Sequence, residues 1–311
     1  MFAAVERERL PIGASLVAIG SGVVWSIGAI MSKKADGADA FQYLLWRAVG
    51  VLVVMELIAA LQRKPFPAIR AWRSGRAMVF ANIGLFLASI AFVYAVKTTT
   101  AANAAFLSSL TPLVAVVFAK FLGERLAPST VVALAIGVSG LIVTMVSDLE
   151  AGNMAGNLAA FSSSIGFALY STSVRTDPSR DWSPVLPGYS LLMILVCTVI
   201  IQFNGKPMVP PAADMAYAIV HGAVVIVVGT LMFNSASRHV PAVPMTVFAQ
   251  AEMVFVPFWA WLLLSQTPKG WTIVGGAMIF CAVVGKAIYD TSGPRKGQPS
   301  EITTAPDVPL L

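Results

Sequence analysis

Charge is the scarcest ingredient of this 311-residue chain: 12% of its residues are charged and 57% are hydrophobic. Soluble domains carry roughly 25% charged residues and 45 to 50% apolar ones, so a water-soluble globule is excluded by composition. Cysteine is almost absent. Cys197 and Cys281 both lie inside apolar runs, which suits small packing residues and leaves no disulfide framework or metal cluster. Catalytic signatures are missing as well. The chain has no H-E-x-x-H, no G-x-S-x-G, no pair of aspartates inside an apolar run and no cysteine near a histidine. An intramembrane enzyme therefore has no visible machinery, and no cofactor, metal or catalytic residue is called for. Long polar loops are lacking too, the longest internal one being "QRKPFPAIRAWRSGR" at 62–76.

What fills the chain instead is apolar runs of about 20 residues, the length a helix needs to cross roughly 30 Å of hydrocarbon at 1.5 Å per residue. Ten are predicted, at 12–32, 41–61, 77–96, 100–120, 127–146, 152–174, 184–204, 215–237, 241–264 and 270–289. The first follows "ERERLP" and is followed by Lys33 and Lys34 rather than a small-residue cleavage site, so it reads as a retained span. The fold class is an all-α membrane protein with ten transmembrane helices. The tail "TSGPRKGQPSEITTAPDVPLL" is polar and proline-rich, and disorder is expected of residues 291–311.

The net charge of +6 is spread over short gaps, which reads as membrane orientation and not as nucleic-acid binding. With the N-terminus inside, fifteen Lys and Arg fall on its side, among them Arg63, Arg70, Arg73, Arg76, Arg175 and Arg180. Five fall opposite: Lys33, Lys34, Lys97, Lys206 and Lys269. Both termini are expected in the cytoplasm, and Trp72 beside Arg70 and Arg73 is expected as an anchor at that interface.

A weak internal repeat runs through the chain. Pro112 and Pro128 stand sixteen residues apart, as do Glu252 and Pro268, while "SIGAIMS" (26–32) faces "SIGFALY" (164–170) at an offset of 138. The matches pair span one with six, four with nine and five with ten. Five spans per unit is an odd number, so the second unit enters the membrane inverted, as in secondary transporters with a site near the midplane. The units are placed at 1–148 and 149–290. Glu124 and Arg125 then face the cytoplasm, and their counterparts Leu264 and Ser265, at the opposite face, carry no charge.

"VVWSIGAIMSKK", "LLWRAVGVLVV" and "AVKTTTAANAAFLSSLTPLVAVVFAKFLGERLAPSTVVALAIGVSGLIV" resemble the first repeat of the drug/metabolite transporter superfamily. Trp25 and Lys33, Arg47, and Pro112 with Gly123 and Glu124 match its motifs in order. The second half departs from the pattern, lacking the glycine-glutamate pair at 263–264 and the proline after Glu252. The resemblance implies a ten-helix exporter whose central cavity is lined by spans one, three, four, six, eight and nine. Within the superfamily the chain is most similar to bacterial exporters of amino acids, aromatic ones especially. This implies a bacterial inner-membrane protein whose partners are a small-molecule substrate and the lipid bilayer, and for which a monomer is plausible. The phosphorylated-metabolite or nucleotide-sugar exchangers of the same superfamily are an alternative. Their anionic cargo requires cations at binding depth, and Arg47 alone stands there.

Candidate site residues are polar or aromatic groups well inside spans. An Arg or Asp near a helix centre costs about 2.5 to 3.5 kcal/mol on insertion scales, which singles out Arg47, Glu56, His221 and Glu252. Arg47 and Glu56 lie roughly 13 Å apart along one helix, too far to pair, and each can snorkel or bind a helix terminus. Glu252, near the midplane, can hold a substrate ammonium, carry a coupling proton or bond a neighbouring helix. His221 is either hydrogen-bonded packing or cavity lining. Asn82, Phe86 and Ser89 share one face of span three, and Asn103, Phe106 and Leu110 one face of span four. The expected cavity wall is Trp25, Asn82, Phe86, Asn103, Phe106, Ser164, His221 and Gln250. Pro112 and Pro257 lie deep in spans four and nine, as static bends or as hinges. "GVSG" (137–140) and Gly275–Gly276 read as close helix packing.

Overall fold

The structure, a computed structural model, describes residues 10–98, 107–121, 127–145, 154–264 and 270–291. Helix is present in each of the ten expected spans. The first repeat holds α1 (Ile12–Lys34), α2 (Ala40–Leu61), a short α3 (Pro67–Arg73), α4 (Arg76–Thr98), α5 (Thr111–Phe121) and α6 (Pro128–Met145). The second holds α7 (Met154–Arg175), α8 (Val185–Phe203), α9 (Ala212–Ala236), α10 (Ala242–Ala249), α11 (Ala251–Leu264) and α12 (Gly270–Thr291). No strand occurs among the described residues. Six helical stretches are long and apolar enough to span a membrane: α1, α2, α4, α8, α9 and the α10–α11 pair. Helix α7 has the length, but its serines and threonines lower its hydropathy. Large apolar side chains such as Val53, Leu57, Phe80, Leu195 and Phe280 point outward, a surface that water would not tolerate and lipid does. Residues 99–106, 122–126, 265–269 and 292–311, which include Glu124, Arg125, Pro268 and the tail, lie outside the described residues.

The packing repeats the internal symmetry. Exchanging repeats sends spans one and six, three and eight, and four and nine into each other. Helix α4 packs on α7 and α9 on α1; α5 packs on α7, and α10 and α11 on α1; α2 packs on α9, and α8 on α4. Each contact has its mate under the exchange. The membrane face where α1 begins is called near below, and the face where it ends is called far.

Small residues set how closely these helices cross. A Cβ on Gly84 would lie 2.7 Å from the Tyr170 amide nitrogen, and one on Gly166 would lie 2.7 Å from the Gly84 carbonyl oxygen. Between α6 and α12, Gly140 abuts the Gly275 carbonyl, whereas a Cβ on Gly276 would meet open space. Of the two glycine motifs read as packing, one residue from each therefore makes the contact.

The far end of α2 is tied down by side chains. Asp39 caps it, its Oδ1 accepting from the Phe41 and Gln42 amides at 2.8 and 2.9 Å, while Gln42 Oε1 accepts from the Asp39 amide at 3.0 Å. This reciprocal box satisfies donors a helix start otherwise leaves bare. Lys206 Nζ approaches Asp39 Oδ2 at 2.9 Å, and Trp46 Nε1 donates to the Met208 carbonyl, joining α2 to the α8–α9 loop. Burial pushes the Asp39 carboxyl up, but the Gln42 amide, Lys206 and the Phe41 amide together outweigh it, so its pKa sits below the ordinary value. A depressed carboxylate stabilises the fold above its unfolded pKa of about 3.9 and stops doing so as pH falls below it. Asp39→Ala is expected to cost about 0.5 to 2 kcal/mol and to flatten the acid side of the stability profile. Thermal unfolding in detergent between pH 3 and 7 checks this; an unchanged acid limb refutes it.

At the near face, Glu56 serves the fold. Its Oε1 accepts from the Ala68 amide at 3.0 Å in the first turn of α3, the helix-terminus role open to it from the sequence.

Candidate functional site

Two spans are interrupted at the centre of the molecule. Span four turns at Ser109–Leu110 before α5, and span nine turns at Gln250 between α10 and α11. These positions match across the repeat, because Gln250 stands 140 residues after Leu110 and Glu252 the same distance after Pro112. The interruptions meet: Gln250 Nε2 donates to the Ser109 carbonyl at 2.8 Å. Pro112 sits buried in the first turn of α5, where a missing N–H costs nothing. Pro257 lies farther along, inside α11. Broken helices at mid-membrane are tolerated where they line a cavity, and one lies here.

The cavity measures about 170 Å³. Its wall comprises Trp25, Gly28 and Ser32 of α1, Arg47 of α2, Leu85, Ser89, Phe92 and Val96 of α4, and Ser108 and Ser109. The second repeat adds Ser163 and Phe167 of α7, Tyr189 of α8, His221 and Thr230 of α9, and Thr246, Gln250 and Glu252 around the second break. It reaches the last turns of α1 and α4 at Ser32 and Val96, toward the far face. Spans one, three, four, six, eight and nine all contribute, joined by two and seven through Arg47 and Tyr189.

Toward the near face aromatic rings close it. Trp25 meets Phe167 edge-on with centroids 5.5 Å apart, and both contact Phe233, at 5.5 and 5.3 Å. Tyr170 stacks on Phe233 at 5.5 Å and donates to Asn234 Oδ1 at 2.5 Å. Tyr170 and Phe233 are fully buried. At the 138 offset, the mates of Phe167, Tyr170 and Trp25 are Ala29, Ser32 and Ser163, which line the cavity as small residues. Large rings toward the near face, with small residues at their symmetry mates, explain why a two-fold scaffold holds a one-sided cavity.

A π turn at His221–Ile226 interrupts α9, a distortion that recurs at functional sites. It aims His221 at Gly28 and at Tyr43, whose hydroxyl lies 2.7 Å from His221 Nδ1 in a hydrogen bond. Arg47 is 4% exposed and donates through Nη2 to Ser89 Oγ. No carboxylate among the described residues pairs with it.

Of the expected wall, the structure brings Trp25, His221 and Gln250 to the cavity, together with Glu252. Asn103 and Phe106 lie outside the described residues. Three assignments need correction. Asn82 shares the helical face of Ser89 but stands two turns nearer the near face, where α8 closes over it. It is fully buried and donates to the Ala71 carbonyl at 3.1 Å. Phe86 packs against the main core and not the cavity. Ser164 is fully buried and donates to the Phe161 carbonyl of its own helix, while Ser163, one residue or about 100° around, faces the cavity. Sequence reasoning placed Ser89 on the candidate face of span three but missed Phe92, Ser163, Phe167, Thr230 and Thr246 as a set. Their only signal was hydroxyl and aromatic residues inside apolar runs.

Two inverted helical units around a central cavity at paired helix breaks are the architecture of a membrane transporter. The EamA-like transporter family matches residues 12–146 and 154–286, one stretch per repeat, and the chain belongs to that family. It is similar to the pseudopaline exporter CntI of Pseudomonas aeruginosa, with 23% identity over 284 residues, covering 89% of this chain and 96% of that one. It also matches the uncharacterized transporter YetK of Bacillus subtilis, 23% identical over 245 residues, covering 74% and 72%. A solved crystal structure 18% identical superposes with a TM-score of 0.73 over 90% of this chain and 97% of its own, a likeness of fold.

Proposed function

We propose that this protein exports small amino acids, neutral or aromatic, or closely related metabolites, by rocking its two five-helix units, 1–148 and 149–290, about the central cavity. The observation that carries the reading is the cavity itself, walled by Trp25, Phe92, Phe167 and Tyr189, several hydroxyls and single opposite charges at the meeting point of two broken spans. A mostly apolar pocket with a few placed polar groups suits an apolar side chain on a polar head. The two interruptions, beside Pro112 and ahead of Pro257, are where the spans bend as the repeats rock. An exporter among the similar proteins supports the direction of transport. A phosphorylated cargo fits less well, because Arg47 is the only lysine or arginine among the described residues of the wall.

Competition by the twenty amino acids in proteoliposomes tests the substrate class, and absence of any competition sinks it. Ring contacts contribute about 0.5 to 1.5 kcal/mol beyond area burial, so Trp25→Ala is expected to weaken phenylalanine transport roughly 2- to 12-fold more than alanine transport. Equal loss for both would mark damage to the fold. The inner-membrane placement puts the near face in the cytoplasm, on the fifteen-to-five count of basic residues. A cysteine at residue 300 is then shielded from impermeant reagents in intact cells, and rapid labelling there reverses the orientation.

A further inference from the structure

Arg47 and Glu252 are a cation and a carboxylate on the wall of one cavity, contributed by opposite repeats, and they do not pair with each other. Arg47 uses one of its five donors on Ser89 Oγ. Glu252 has no cation or hydrogen-bond donor paired to its carboxylate among the described residues. An unpaired charge buried in a span is costly, and the direct remedy would be to bring the two together. The fold holds them apart instead. Gln250, two residues before Glu252 and across the break in span nine, lines the cavity with an Oε1 that is buried and accepts nothing. It adds an orphan acceptor to the carboxylate. Ser32 Oγ, also in the cavity wall, is likewise buried without a partner, and beyond Ser89 the Arg47 guanidinium has no hydrogen-bond acceptor among the described residues.

We propose that the cavity is a zwitterion site, in which Arg47 binds the substrate's carboxylate and Glu252 with the Gln250 amide oxygen binds its ammonium. The assignment rests on the transport reading above and deepens it. A guanidinium presents a planar fork that matches a carboxylate, and a carboxylate with an amide oxygen supplies acceptors to an ammonium, which has donors only. Neither seat suffices alone, since a ligand with one charge leaves the opposite protein charge buried and unpaired. Selectivity for zwitterions follows from that penalty on half-matched ligands. Because one seat belongs to each repeat, a bound zwitterion also bridges the two bodies that move.

Three probes of similar size separate the seats: phenylalanine, 2-phenylethylamine, which lacks the carboxylate, and 3-phenylpropionate, which lacks the ammonium. Each is measured by thermal stabilisation of the purified protein and by competition for flux in proteoliposomes. The wild type is expected to prefer phenylalanine to either fragment at least tenfold. Arg47→Gln is expected to erase the preference over phenylethylamine while keeping that over phenylpropionate, and Glu252→Gln to do the reverse. Arg47→Lys, which keeps the charge without the fork, retains part of the carboxylate preference and guards against misfolding of the glutamine variant. Equal weakening of all three probes by Arg47→Gln, or preferences unchanged in both variants, overturns the assignment while leaving the transport reading intact. Failure of wild type to respond to any probe overturns both.

Discussion

Gly166→Leu is expected to abolish accumulation of folded protein in the membrane. Its helix α7 crosses α4 with Gly84 opposite, and the obstacles to a Cβ are main-chain atoms: the Gly84 carbonyl oxygen at 2.7 Å, and the backbone of Leu87 and Ala88. A flexible side chain can turn aside, but two helix backbones must separate. Overpacking a core costs about 1 to 3 kcal/mol when side chains yield, and here the cost exceeds that range because main-chain atoms of the facing helix must yield. Gly13→Leu, with nothing within 4 Å of the new Cβ, serves as control. Size-exclusion profiles of the detergent-extracted proteins decide the matter: a monodisperse Gly166→Leu at control abundance would show that the crossing relaxes easily.

Val96→Trp is expected to lower flux at least tenfold at unchanged protein abundance. Val96 lines the cavity in the last turns of α4 and is only partly buried, so a larger ring has room to turn into the opening. The small residues that keep the far side clear, Ala29, Ser32 and Ser163, would then face an aromatic group of the kind that fills the near side. Normal flux through Val96→Trp would mean that substrate does not pass between α1 and α4 at the far face.

Span number, length and the inverted repeat were legible in the sequence because each depends on a one-dimensional quantity. A run of apolar residues must match the hydrocarbon thickness, and an odd number of spans per unit forces inversion. Motif order, from Trp25 and Arg47 through Pro112, carried the family. Glu252, Gln250, His221 and Trp25 drew notice because a polar or aromatic group deep in a span has few alternatives, and all four lie in the cavity wall.

What the sequence did not settle is rotation and depth. Asn82 and Ser89 lie on one face of α4, yet α8 buries the first and the cavity receives the second. Ser163 and Ser164 are adjacent, and one residue turns the side chain by about 100°. Nor does the sequence alone show that Arg47 is left unpaired, since only the packed neighbours tell whether a cation has found a carboxylate. Hydropathy pattern and the internal repeat therefore determined a ten-span membrane protein with two inverted units, and the resemblance carried by motif order added the transporter reading. Tertiary structure decided which face of each helix meets the cavity and which end the aromatic rings close. Those outcomes depend on helix crossings such as Gly84 against Gly166, where backbone contact between residues distant in the chain fixes both rotation and depth.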